Sequence, residues 1–346
     1  MTISPLYGAT AMLEHGHVDH PARGRRRIRP AAIAALAAAI VIAVQLTAAG
    51  PVAAAGAVAT ARAVAAATPV PAIAGCRIFP ASSWWNLRVD GLPVAADSDV
   101  LVRSIGIDAP LHPDFSSRGM YGIPFNVVTR VTPRSTVAFY YPDESDRVRY
   151  PIPPAPRIEA GSDRHILMLD RSACRLYELY DADRASGRWT AGSGATWSLR
   201  SNALRPAGWT SADAAGLPIL PGLARYEEVA AGEIAHALRF TAPRTRTAFV
   251  YPARHQAGES DDPALPPMGL RVRLKASVDI SGFGPQSQVV LRALQRYGMM
   301  LADNGAPWYA GGSPDARWDD DDLHRLGELT GADFEVVDTT TLTRTP

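Results

Sequence analysis

Six polar residues stand where strand ends would present them: Asp163 and His165, Glu178, and Tyr251 with Arg254 and His255. Along an extended chain Glu178 shares its face with Cys174, Leu176 and Tyr180. A carboxyl in that company is partly desolvated and keeps its proton to higher pH, which suits a general acid; its competing role is to pair with an arginine of a neighbouring strand. Arg254 and His255 follow the apolar run Ala248–Tyr251 and precede the polar loop 258–262. An arginine there can hold a uronate carboxylate while the imidazole takes the adjacent proton. Tyr251 can then protonate the leaving oxygen, as in a β-eliminating lyase. Hydrolysis needs two carboxylates across a sugar instead, about 5–5.5 Å apart for retention or 6.5–9.5 Å for inversion. Glu178 with Asp163 is the first such pair. Asp303, just after a predicted strand, is a third carboxylate, although Asp-Asn-Gly also forms turns. Arg254, Trp197, Arg200 and Asp303 are assigned to substrate binding. Seven tryptophans are spread along the chain; such rings stack on sugars or fill the space between sheets.

Other chemistries find no support. The sequence holds no G-x-S-x-G, H-E-x-x-H or Walker loop, and no complete G-x-G-x-x-G. His112, His165, His236, His255 and His324 are scattered singly, which argues against zinc. No cofactor is expected. Asp319–Asp322 offer hard oxygen ligands for a structural calcium, but four consecutive helical residues point in different directions, so helix capping is the preferred role.

These residues need strands to position them. Alternation marks strands at 123–129, 136–141, 165–170, 174–181, 195–199, 235–241, 247–251, 270–276, 299–302 and 334–337. The short link Asp170–Ala173 makes residues 165–181 a hairpin, which sets His165 and Glu178 opposite or diagonal on one sheet. In Leu270–Lys275 the cations alternate with apolar residues, the pattern of a strand wet on one face. Helical spacing appears at 225–234, at 286–297 with Gly298 as its stop, and at 319–328. Many short strands with few helices imply a mainly-β fold: one antiparallel β-sandwich of jelly-roll type over residues 76–346, with a few peripheral helices.

Residues 1–75 read as a leader. A basic cluster (Arg23, Arg25, Arg26, Arg27, Arg29) precedes the apolar stretch Ala31–Ala49, and Ala-x-Ala triplets follow: the order of a secretory signal, with a retained membrane anchor as the alternative. Behind an Ala/Pro-rich spacer the remainder has 29 basic and 32 acidic residues, net −3, against +1 for the whole chain. No basic run survives there, so nucleic acid and, once the leader is cleaved, membranes are poor partners. The two cysteines, Cys76 and Cys174, both fall in the exported part and read as a disulfide. It would close a loop of about 100 residues, worth about 4–5 kcal/mol in the chain-entropy picture.

The stretches Trp197–Pro206 and Ala212–Ile219, together with Pro266–Leu270 and Ala302–Gly305, resemble segments of a group of exported bacterial proteins of unassigned function. The resemblance covers most of residues 76–338 and implies an exported domain; it brings no activity and no site residues. The strand pattern also resembles the concanavalin-like sandwiches of polysaccharide lyases and glycoside hydrolases, a likeness of architecture. The expectation is a secreted, monomeric, glycan-active enzyme, hydrolase or lyase. The alternative is a carbohydrate-binding or envelope protein without catalysis.

Overall fold

A computed structural model describes residues 71–342. The ladder of β1 (Ala72–Ile73) and β2 (Cys76–Arg77) leads to α1 (Ser98–Gly106), β3 (His112–Asp114), β4 (Phe125–Val128) and β5 (Val137–Phe139). Next come β6 (Ile166–Asp170), β7 (Arg175–Tyr180), β8 (Asp183–Ala185), β9 (Arg188–Ala191) and β10 (Ser193–Ser198). A long strap, residues 199–225, leads to α2 (Tyr226–Ala230), β11 (Leu238–Ala242), β12 (Arg271–Leu274), α3 (Pro285–Arg296), β13 (Met299–Asn304), β14 (Tyr309–Gly311), α4 (Asp320–His324) and β15 (Phe334–Val336). Strand outweighs helix, 26% to 16%, so the fold is mainly β.

The sheets differ from the expected antiparallel jelly roll: they are mixed and open. A six-stranded sheet runs β15-β12-β13-β11-β14-β3, a four-stranded sheet β10-β7-β6-β4, and a three-stranded sheet β5-β9-β8. The pairs β11–β13, β14–β3, β4–β6 and β5–β9 are parallel. Parallel pairing needs a crossover, and α3 lies in the one that carries the chain from β11 to β13. Its apolar stripe (Val289, Val290, Leu294) is buried, as its spacing predicts, and Gly298 ends it at φ +64°, a conformation open to glycine.

The hairpin of β6 and β7 forms with Leu167 opposite Glu178. Extending that register sets His165 beside Tyr180 and diagonal to Glu178, and the His165 and Tyr180 rings lie 5.7 Å apart. The four-stranded sheet separates two cores. Leu167, Leu169, Leu176 and Trp197 face the main one, whereas Ile166, Met168, Tyr177 and Leu179 face a smaller one around Tyr150 and Trp189. Cys76 and Cys174 are bonded across 98 residues, tying β2 to the turn of the hairpin.

Two expectations need correcting. Residues 247–251 form no regular strand, only isolated bridges such as Phe249 to Met268. The cations of β12 do not face water. β12 is flanked by β13 and β15, and Arg271, 4% exposed, donates to the carbonyls of Tyr297, Trp84 and Leu87. Burial without a carboxylate partner lowers its pKa to about 9. The aspartates at 319–322 disperse as helix geometry requires: Asp319 caps α4, Asp320 holds Ser117, and Asp322 caps the start of α3. Among the described residues no cluster of three or more metal-binding side chains occurs, and no helix is long and apolar enough to cross a membrane. Residues 1–70 of the leader lie outside the described residues.

Candidate functional site

The strap between β10 and β11 carries much of the stretch that resembles exported proteins, and it zips the two larger sheets together through buried charge. Glu178, fully buried on β7, accepts the Ile219 and Leu220 N–H groups at 2.9 Å each. His165 meets the Ala212 carbonyl through Nε2 at 2.9 Å and Glu159 through Nδ1 at 2.5 Å. Asp213, inaccessible to water, takes Arg239 of β11 in a two-pronged pair, 2.8 and 3.1 Å. Each tie joins the strap to a different strand or loop, so the sequence candidates Glu178 and His165 are saturated by structural partners.

Their protonation follows from these surroundings. Burial pushes Glu178 up to about 7, against the pull of the two strap N–H groups. Burial alone would lower His165, but the bond to Glu159 and its charge outweigh it and raise the imidazole to about 9. The same bond holds Glu159 below the usual carboxylate range despite its burial. At neutral pH His165 is therefore an imidazolium with both N–H groups donating.

Arg239, 5% exposed, lies on the face of the six-stranded sheet that the strap covers, close to the strand ends. Register fixes what lies there, because paired residues share a face. One row contains Arg239, Gly311 and Asp114; the next contains Asp303, Thr241, Tyr309 and His112. Gly311 lets Arg239 lie flat across β14, since a Cβ there would sit 2.8 Å from the arginine Cγ. Asp303 stands at the carboxyl end of β13, 3.9 Å from Arg239, with 28% of its side chain exposed. Burial, and then the charge of Asp213, raise its pKa to about 7 against the pull of Arg239. Asp114 is raised by burial too, and Arg239 opposes the shift. The ring of His112 stacks on that of Tyr309 at 4.1 Å, and burial lowers the pKa of His112, which keeps it neutral. From the facing hairpin, the charges of Asp163 and His165 reach this group: Asp163 acts on both His165 and Asp114, and His165 on Asp303.

Two sequence candidates, His165 and Asp303, thus lie near Arg239, with Glu178 buried behind His165, while Asp163 is exposed at the start of the hairpin. The others lie elsewhere. Tyr251 packs edge-on against Trp84 at 4.5 Å. With Phe79, Trp85, Trp197 and Arg205 these two rings line a narrow cleft. Arg254 donates to the Arg205 carbonyl, and His255 lies 2.8 Å from the Ala214 carbonyl and 3.9 Å from Glu144. Arg200 is exposed in the turn after β10. The arrangement offers the lyase triad no common substrate position: Arg254 and His255 are held by two separate backbone oxygens of the strap.

Sequence reasoning missed Arg239, Asp213, Asp114 and Tyr309. A lone arginine inside the apolar run 235–241 was the available signal for Arg239, since a charge in such a strand requires a buried partner. Asp114 and Tyr309 sit on three-residue strands that periodicity cannot resolve. Comparison with known protein families, curated proteins and solved structures finds no match.

Proposed function

We propose that this protein is an exported glycan hydrolase whose reaction centres on Asp303. One observation carries the proposal: a carboxyl with 28% of its side chain exposed, held near neutrality, stands beside a buried arginine that Asp213 already neutralises. A group whose pKa lies near the working pH both gives and takes a proton effectively. In this reading Asp303 protonates the glycosidic oxygen as the C–O bond breaks. Water adds to the anomeric carbon and gives its proton to solvent. Asp213 and Arg239 position Asp303 without touching substrate. Export is part of the proposal, supported by the disulfide and by the order of basic, apolar and small residues in the leader.

The test is a reducing-end assay over a polysaccharide panel with the wild type and Asp303→Asn. Cleavage by the wild type, lost in the variant, supports the reading; full activity in the variant removes Asp303 from the reaction. A second reading, glycan binding without cleavage, rests on the exposed ring of Tyr121, since Trp84 and Trp197 are buried. Affinity for a glycan that no form of the protein cleaves would select it.

A further inference from the structure

The row that contains Asp303 continues across the sheet. From β13 to β3 it reads Asp303, Thr241, Tyr309, His112, one residue per strand. Neighbouring strands lie about 4.8 Å apart, so this row spans about 14 Å. That step is comparable to the length of one pyranose along a chain. At the far end the stacked Tyr309 and His112 rings meet the edge of Tyr121, whose ring lies 6.4 Å from His112. Tyr121 and its neighbour Met120 are the exposed part of this end, at 53% and 67%. Aromatic faces that are partly wet suit the C–H faces of sugar rings.

The charge on this surface restricts the ligand. Asp303, Asp114, Asp163 and Glu159 surround it, while Arg239 is already paired with Asp213 and His165 with Glu159. A uronate or sulfated chain would meet these carboxylates, and neither Arg239 nor His165 is free to neutralise it.

We infer that a neutral or amino-bearing oligosaccharide lies across the strands of this face, from Asp303 to an aromatic subsite formed by Tyr309, His112 and Tyr121. The inference rests on the hydrolase reading for the orientation of the chain, and it adds the substrate class and the direction of binding. Asp303 acts at one end, and Tyr309 and His112, two and three strands away, hold a unit together with Tyr121. Cleavage should therefore require a chain long enough to reach both.

The test is calorimetric titration of the full protein with cellotriose, cellohexaose, a chitosan hexamer and hexagalacturonate, repeated on Tyr121→Ala and Tyr309→Ala. Tyr121 is exposed, so its variant folds whatever the fate of the Tyr309 variant. The expected result is binding of at least one of the neutral or cationic hexamers, with hexagalacturonate unbound. Cellohexaose, where it is the ligand bound, should bind more tightly than cellotriose. Tyr121→Ala should weaken the hexamer about 5–10-fold, the worth of one aromatic contact, and leave the trimer unchanged. Tightest binding by hexagalacturonate, hexamer affinity indifferent to both variants, or no binding by any ligand would overturn the inference. Hexamer binding of the expected pattern without cleavage would sink the hydrolase reading and leave the path standing. Cleavage dependent on Asp303 but insensitive to chain length would do the reverse.

Discussion

Glu178 and Asp303 are two carboxyls raised to about the same pKa, and they differ in everything that decides their use. Glu178 lies between sheets with no exposed surface, and both oxygens accept strap N–H groups. Asp303 lies at a strand end with 28% of its side chain in water and no donor except its neighbour's N–H and, at 3.9 Å, Arg239. A raised pKa reports desolvation; it becomes a functional signal only when a ligand can reach the group. Glu178 fulfils the first condition and fails the second.

Substitutions can break this contrast. The largest expected effect is on turnover. Asp303→Asn should lower glycan cleavage by about 10²–10⁴-fold with little change in melting temperature, as loss of a general acid does. Activity assays paired with thermal melts check both halves. The second effect is structural. Asp213→Ala leaves the Arg239 guanidinium buried without its main partner, so urea denaturation should show a loss of about 3–5 kcal/mol.

The third effect is smaller and depends on pH. Glu178→Gln keeps the shape but turns an amide N–H toward a backbone N–H, at a cost of about 1–3 kcal/mol. Because the folded-state pKa of Glu178 (about 7) lies above its ordinary value of 4.5, folding holds its proton. That contribution is complete below pH 4.5 and is lost as pH rises through 7. The wild type alone gives it up, so the deficit of the variant should be widest near pH 5 and narrow toward pH 8. A deficit constant across that range would show that Glu178 does not titrate as its burial implies.

Much of the fold was legible. The hairpin of β6 and β7, the helix over 285–296 and the Cys76–Cys174 bond follow from alternation, 3.6-residue spacing and cysteine count. The turn length set His165 and Glu178 opposite or diagonal, and the register makes them diagonal. What periodicity could not supply was which face a strap would cover. Glu178 reads as a partly desolvated acid from its own strand, and residues 211–220, more than thirty positions away, decide that it is sealed. Arg271 shows the same limit: its strand alternates as if one face were wet, and non-local packing of Trp84, Leu87 and Tyr297 closes it. Asp303 was found as a candidate, but its partners Arg239 and Asp213 come from a distant strand and from the strap, which periodicity does not bring together.

The most direct measurement is a ¹³C NMR titration of the side-chain carboxyl of Asp303, with and without cellohexaose. A midpoint near 7, perturbed by the ligand, is the result expected of a reachable acid–base group beside Asp213 and Arg239. A midpoint near the ordinary 3.8 would contradict the central claim and reduce Asp303 to a turn residue at the end of β13.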